Sequence, residues 1–388
     1  MQLIRGGLLM TLDQSISDDH DACINQETNN DPVIVIGGGP TGIRAAECLA
    51  AKKTPVTIFN AERWQPYNRV KLTPLLSGDV QLGQVYLEPN FPDETLIKQY
   101  TSHPIVAIDP EKKIVIGQFD RAFPYSKLII ATGSRAHIPA IPGADRDGVF
   151  KFRNFDDVEK LIARSFSARK CLVIGGGLLG LEAARGMANR DIDTIVIEHE
   201  SWLMARQLDE EAGNLLKSQI ENLELEVKTG ISVKEITGNG RVEGVTLSNG
   251  ETIKCDTIIV CTGIRANMEI ARDAGLSVGR GITVNKTLQT SDPDIYAIGE
   301  CAEYEGHTYG LVGPGLEQAT IAVANIQGED ETYTGSLPTT KLKVVGSDVF
   351  SMGDVEQLAE RVDIDSLIYR DEEKGIYRRL ILKRSKLV

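Results

Sequence analysis

From Pro32 onward, short runs of apolar, β-branched residues alternate with longer stretches in which apolar positions recur at helical spacing. The runs "VIVIG", "PVTIF", "KLIIAT", "KCLVIG" and "DTIVIE" are almost continuously apolar. That pattern predicts strands buried on both faces, as in a parallel sheet, rather than the in-out alternation of a half-exposed one. Strands alternating with helices in this way predict βαβ units and an α/β fold. Further on, Leu208, Ala212, Leu215, Leu216, Ile220 and Leu223 mark one amphipathic helix packed on a sheet. In the next stretch, Asn239-Gly240 and Asn249-Gly250 each sit between alternating apolar residues, which predicts a small antiparallel meander. From residue 338 the runs "TTKLKVVGSDVFSMGD" and "IYRRLILKRSKLV" predict a separate small α+β unit.

One local pattern occurs twice. Gly37, Gly39 and Gly42 follow the first apolar run and precede "TGIRAAECLAA"; Gly175, Gly177 and Gly180 follow "CLVI" and precede "GLEAARGMANR". In G-x-G-x-x-G the first glycine makes a tight turn and the second lets backbone approach a pyrophosphate. The third lets the helix pack on the strand, and the N-H groups at the helix start face the phosphates. Two copies predict two dinucleotide sites. Each also has a carboxylate near the end of its next strand to accept ribose hydroxyls: Glu62 in "TIFNAE" and Glu198 in "IVIEHE". Glu62 lies past its strand and also reads as a solvated loop carboxylate. An acid at Glu198, with no arginine in the next few residues, favours NAD over NADP. The exits "KLIIATGS", through Gly133, and "DTIIVCTGI", through Gly263, repeat as well; taken alone they are buried strands ending in glycine turns.

At 388 residues the chain exceeds one hydrophobic core, so two or three domains are expected. No apolar run approaches the roughly 18 residues of a membrane span, and the chain reads as cytoplasmic. A net charge of -13 disfavours nucleic acid as partner. Cys23, Cys48, Cys171, Cys255, Cys261 and Cys301 are scattered without C-x-x-C or zinc spacing, so no metal site is expected. The first 31 residues make a poor signal peptide and read as a disordered tail, with Met10 an alternative start.

On these residues the chain resembles the two-dinucleotide flavoproteins, the pyridine nucleotide oxidoreductases of glutathione-reductase-like fold. The resemblance implies two Rossmann-like domains: an FAD domain over 32–150 and 281–336, and an NAD domain over 151–280. A small C-terminal interface domain over 337–388 follows. FAD would then lie on Gly37, Gly39, Pro40, Thr41, Gly42, Glu62, Ala131, Thr132 and Gly133. The family's A-x-G-D motif is met by "TSDPDIYAIGECAEY", with Gly299 followed by Glu300 in place of the aspartate that bonds the ribityl chain. NADH would lie on Gly175, Gly177, Leu179, Gly180, Glu198 and Gly263.

More closely, "PYNRVKLTPLLSG", "GGGLLGLEAA", "LMARQLDEEAG" and "TKLKVVGSDVFSMGD" resemble the flavin half of NADH-dependent assimilatory nitrite reductase large subunits and nitrate reductase electron-transfer subunits. Rubredoxin and ferredoxin reductases are similar at greater distance. Carried over, Arg69 and Lys71 lie near the flavin, Arg135 follows the first exit, and Glu182 lies near the nicotinamide; Lys71 and Glu182 are the expected catalytic residues. Pro74 stands where ferredoxin reductases place a lysine that pairs with this glutamate. Without a cofactor, Arg69 and Lys71 read as a charged loop surface and Glu182 as a first-turn acid favoured by the helix dipole.

The implied function is an FAD-dependent oxidoreductase passing hydride from NADH to FAD and electrons to a separate acceptor. The acceptor is either a nitrate or nitrite reductase subunit or a small iron protein such as rubredoxin. The chain has no cysteine cluster for an iron-sulfur centre of its own; relatives continue past "YRRLILKRSKLV", so truncation is a further reading. Disulfide reductases of the same fold need a redox cysteine where this chain has "NRVKLTPLLSG"; Cys48, Cys171 and Cys261 read as core residues, the last two within strands. A redox-sensing NADH-binding flavoprotein is the non-enzyme alternative. Arg378, Arg379, Lys383, Arg384 and Lys386 form a basic run that either docks an acidic partner or guards an edge strand.

Overall fold

The computed structural model describes residues 31–337, 339–342, 348–353, 365–371, 373–383 and 386–387. The expected disordered tail, with Met10 and Cys23, lies outside the described residues apart from Asp31. The first elements are β1 (Val33–Ile36), α1 (Pro40–Ala51), β2 (Val56–Phe59), α2 (Leu72–Ser77), β3 (Ile97–Tyr100), β4 (Leu128–Ile130), β5 (Ser134–Ala136) and β6 (Val149–Lys151). Then come α3 (Phe155–Ser165), β7 (Lys170–Ile174), α4 (Leu178–Ala188), β8 (Asp193–Ile197), α5 (Glu210–Glu221) and β9 (Glu226–Lys228). The last are β10 (Thr257–Val260), β11 (Ile264–Ala266), α6 (Glu269–Asp273), β12 (Ile295–Ala297) and α7 (Val312–Ile326).

Every residue of β1, β2, β4 and β10 is buried, so these runs have no solvent face and can only be interior strands. They form two parallel five-stranded sheets, ordered β12-β4-β1-β2-β3 and β6-β10-β7-β8-β9. Position for position the orders match, which is the three-dimensional form of the sequence repeat. Along β7 the side chains alternate between two cores: Cys171 and Val173 pack with Leu181, Met187 and Ile259, while Leu172 and Ile174 pack with Ile258 and the meander residues Ile236, Val245 and Leu247. The meander pairs Val233–Thr237, Gly244–Leu247 and Thr252–Lys254 antiparallel, as the Asn-Gly steps predict.

An antiparallel ribbon joins the two modules, with β5 paired to β11 and Arg135 opposite Arg265. β6 straddles the 150/151 line and belongs to the second sheet. Ala271 and Leu276, on the other side of the 280/281 line, are buried in the first core. Cys261 lies one residue beyond β10 rather than within a strand. No helix among the described residues is long and apolar enough to cross a membrane.

In the C-terminal segment the described elements are strands: Thr339–Leu342 pairs with Val349–Met352, and Asp365–Asp371 pairs with Ile376–Lys383. Asp209, the N-cap of α5, anchors this hairpin. It accepts from the Ala212 N-H at 3.0 Å, the Tyr377 hydroxyl at 2.7 Å and Arg379 Nη1 at 2.9 Å. Arg370 pairs with Glu211 on the same helix turn. Arg379, expected in an outward basic run, is therefore committed inside the protein, and Arg384 lies outside the described residues.

Burial pushes the Asp209 carboxyl up, but the bonds from Ala212, Tyr377 and Arg379 outweigh it and hold it below the usual carboxylate range. A depressed pKa contributes stability that is present above the unfolded value of about 4 and lost as pH falls through the lower folded value. Asp209→Ala is expected to lower stability by about 1–2 kcal/mol through the lost cap alone. It should also make the 365–383 hairpin the first site of limited proteolysis, with the acid limb of the melting profile flattened.

Candidate functional site

The two glycine turns superimpose in their chemistry. At Gly37 φ is +123°, and a Cβ there would sit 2.1 Å from the Ala131 carbonyl oxygen; at Gly175 φ is +113°, and a Cβ would sit 2.4 Å from that of Cys261. Neither place accepts a side chain. Gly42 and Gly180 bring helix onto strand so closely that a Cβ would lie 2.0 and 1.9 Å from the carbonyl oxygens of Gly37 and Gly175. By contrast, a Cβ on Gly39 or Gly177 meets nothing within 4 Å. These two residues cap α1 and α4 in extended conformation with no side-chain acceptor, so the first N-H groups of both helices are left without a capping partner. Such uncapped N-H groups at a helix start fit a pyrophosphate. Pro40 opens α1 at a position where no N-H is needed, and Leu179 packs on the second core.

Around the first turn the structure gathers the other expected residues. A Cβ on Gly315 of α7 would lie 2.4 Å from Thr41 Oγ1, and one on Gly299 would lie 3.2 Å from the same side chain. The Gly299 N-H donates to Gln318 Oε1 at 2.7 Å, so α7 fixes the Gly299-Glu300 turn against α1. Thr132 and Asn267 exchange two hydrogen bonds, of 2.7 and 2.9 Å, which hold the Ala131-Thr132-Gly133 exit beside it. Gly263 repeats Gly133 at the second exit, its carbonyl accepting from the His137 N-H at 2.9 Å.

The strand-end residues differ between modules. Glu198 is 7% exposed; its Oε2 accepts the Gly176 N-H at 2.5 Å and its Oε1 the Glu200 N-H at 2.9 Å. His199 Nδ1 lies 2.7 Å from the same oxygen. In the first module the corresponding place belongs to Asn60, which follows Gly37 at the interval by which Glu198 follows Gly175. Asn60 is buried against Gly38 and accepts the Glu62 N-H at 3.2 Å. That equal interval was the signal for Asn60. Glu62, two residues on, binds Arg69 Nη2 at 2.7 Å and the Tyr67 hydroxyl at 2.7 Å.

From Glu62 a polar chain crosses the module boundary. Arg69 Nη1 donates to the Arg153 carbonyl at 3.1 Å, and Arg153 Nη2 donates to Ser134 Oγ at 2.7 Å and to Glu300 Oε2. Ser134 Oγ donates to the same Glu300 oxygen at 2.8 Å. Burial lowers the Arg153 pKa while Glu300 opposes the shift; a guanidinium stays charged regardless. No local pattern marks Arg153, whose role arises only when the modules pack.

Between the modules α2 packs on α4. The helix α4 starts at Leu178, so Glu182 lies in its second turn, not its first, and it bonds the Thr73 hydroxyl at 2.9 Å. Burial pushes the Glu182 carboxyl up, with the Thr73 bond pulling back. Lys71 donates to the Gln84 carbonyl at 2.6 Å, and Arg135 is half-exposed and clamped by Glu269 at 2.6 and 3.0 Å. The structure thus brings neither Lys71 nor Arg135 into contact with Glu182 or the glycine turns. Cys48, Cys171, Cys255, Cys261 and Cys301 are free thiols. Burial pushes Cys255 and Cys261 up to about 12 and raises Cys171 and Cys301 as well, which disfavours a reactive thiolate at any of the four.

Comparison with known proteins agrees with this geometry. A family model described as pyridine nucleotide-disulphide oxidoreductase matches residues 31–325, and one described as the rubredoxin NAD+ reductase C-terminal domain matches residues 338–388. An NAD(P)H nitrite reductase of Bacillus subtilis is 41% identical over 361 residues, spanning 92% of this chain but 44% of that protein. The chain therefore covers under half the length of that relative. An NADH-rubredoxin oxidoreductase of Clostridium acetobutylicum is 30% identical over 356 residues, covering 92% of this chain and 89% of that one. Among solved structures, the ferredoxin reductase for the CYP199A2 system of Rhodopseudomonas palustris superimposes with a TM-score of 0.84 at 28% identity, over 92% of this chain and 90% of that one. With two matched dinucleotide turns in two matched sheets, the chain belongs to the pyridine nucleotide-disulphide oxidoreductase family.

Proposed function

We propose that the chain is an FAD-dependent NADH oxidoreductase, acting in the cytoplasm, that takes hydride from NADH and delivers electrons to a separate acceptor protein in nitrate or nitrite assimilation. The observation that carries this reading is the pair of open helix starts at Gly39 and Gly177, each backed by a turn that admits no side chain. FAD, when bound, supplies two-electron uptake and single-electron release, which no side chain can supply. The residues of this chain do the rest. The N-H groups of α1 would hold the FAD pyrophosphate, Glu300 and Ser134 stand at the exit beside it, and α4 would hold the NADH pyrophosphate. Glu198, buried at its strand tip, would accept ribose hydroxyls, and Glu182 would border the nicotinamide.

With no cysteine on the α2 segment, electrons would leave without a disulfide relay. A second acceptor reading, rubredoxin or a similar small iron protein, is favoured by the match over residues 338–388.

The test is anaerobic titration of the purified protein. It should carry one FAD, bleach with stoichiometric NADH, and reduce ferricyanide and either rubredoxin or a partner reductase in turnover. A colourless protein that takes up no FAD sinks the reading, and bleaching without turnover with any acceptor points to a sensor. NADPH should be poorer than NADH by about 100-fold in kcat/KM, near 2.7 kcal/mol, because its 2'-phosphate would meet the Glu198 carboxylate. Equal rates would show that Glu198 does not read the ribose.

A further inference from the structure

The seam between α2 and α4 is apolar: Leu72, Leu75 and Leu76 pack there with Leu181, Ala183 and Ala184, and a Cβ on Gly186 would lie 2.9 Å from Leu76. Two polar contacts cross it, from the Thr73 hydroxyl to Glu182 Oε2 at 2.9 Å and, at its edge, from Arg190 Nε just beyond α4 to the Leu76 carbonyl at 2.5 Å. No ion pair to Glu182 is found among the described residues. Its second oxygen, Oε1, has no hydrogen-bond partner among the described residues. The carboxyl is thus held by one oxygen and offered by the other. Thr73 lies on α2, which follows β2 of the first sheet in sequence but packs in the second core, and Glu182 follows the second glycine turn, so the pose depends on how α2 seats against α4.

We infer that Thr73 is a positioning residue, whose hydroxyl fixes the Glu182 carboxyl so that Oε1 meets the nicotinamide end of the bound nucleotide. This rests on the functional reading above. Other charged or titratable groups on the elements packed against α4 are already engaged or are themselves buried. Lys71 bonds the Gln84 carbonyl, Glu198 bonds the Gly176 N-H, Asp157 bonds the Arg153 and Asn154 N-H groups, and Arg190 at the end of α4 bonds the Leu76 carbonyl. Cys171 and Cys261 are kept as neutral thiols by burial. At this seam Glu182 is the group whose titration bears on nucleotide binding; His199, exposed beside Glu198 at the ribose end, is removed by His199→Gln in every protein titrated, so that the inflection read is that of Glu182. A hydroxyl donating to a carboxylate favours the charged form, so its loss moves that step to higher pH.

The experiment is NAD+ binding to the FAD-loaded protein by calorimetry from pH 5 to 9, with melting temperature and FAD content measured alongside. Thr73→Ser should retain affinity within about twofold, whereas Thr73→Val should weaken NAD+ by about fivefold, the scale of one lost hydrogen bond. The inflection should move upward in Thr73→Val and vanish in Glu182→Gln, with melting and FAD content unchanged. Thr73→Ala serves the same comparison if valine disturbs the seam. An inflection in the His199→Gln parent that Glu182→Gln abolishes while Thr73→Val and Thr73→Ala leave it in place overturns the inference alone. A wild-type protein that binds no NAD+ overturns the functional reading and the inference with it.

Discussion

Glutamate in place of Gly39 should give a folded but colourless protein, and glutamate in place of Gly177 a yellow one that NADH fails to bleach. Neither substitution strains the chain. Gly39 has φ −76° and ψ 176°, Gly177 has φ −82° and ψ −178°, and both are extended conformations that any residue adopts. A Cβ at either place meets nothing within 4 Å, so stability should shift by no more than about 0.5 kcal/mol. The new carboxylate lands where a pyrophosphate must approach. Two like charges about 4 Å apart near a protein surface repel by about 4 kcal/mol, which is roughly a thousandfold in affinity. Flavin stoichiometry by absorbance, anaerobic NADH titration and thermal melts read the three quantities separately. Wild-type FAD uptake by Gly39→Glu would remove the first turn from the flavin site, and wild-type bleaching by Gly177→Glu would remove the second from the NADH site. Gly37→Ala is the contrasting control: its Cβ would sit 2.1 Å from the Ala131 oxygen, so it should damage folding itself.

The difference between those glycines was legible in the sequence because it is local. A G-x-G-x-x-G turn is fixed by its own backbone and by the strand and helix on either side, so the residues at 37, 39, 42, 175, 177 and 180 could be given roles before any packing was known. The same holds for Glu198, which sits at the tip of a clean apolar strand. Glu62 was harder to place because its strand ends three residues earlier, at Phe59, and leaves Asn60 in the matching position. Arg153 and Thr73 lay beyond reach for a different reason. Their partners, Glu300 and Glu182, are distant in sequence and on other elements, and no periodicity encodes a contact made when two modules close on each other. Lys71 shows the converse. Its place near the flavin came from a resemblance, and the structure gives its ammonium a backbone carbonyl, that of Gln84, as partner.

Arg153→Met should lower both stability and flavin affinity, and the size of the loss follows from what it leaves behind. The Arg153 and Glu300 side chains are 16% and 19% exposed, so most of the pair is sheltered from water. Removing one partner of a fully buried pair costs about 3–5 kcal/mol. The residual solvent contact here lowers that to about 2–3 kcal/mol, because water screens part of the stranded charge. Ser134 remains as a single hydroxyl donor to Glu300, at 2.8 Å, and cannot replace a guanidinium. Methionine keeps the length of the side chain, so the change tests charge more than volume. Glu300→Gln alone should likewise strand Arg153, whereas the double variant Arg153→Met with Glu300→Gln removes both charges and should recover about 2 kcal/mol of the summed single losses. Chemical denaturation of the four apo-proteins measures that coupling without any cofactor. In the flavin-loaded proteins, Arg153→Met should bind FAD at least about tenfold more weakly, since its stranded carboxylate no longer has a cation to hold it at the exit beside Gly133. Strictly additive denaturation losses would show that the pair carries no coupling. Unchanged FAD affinity in Arg153→Met would place Glu300 outside the flavin site.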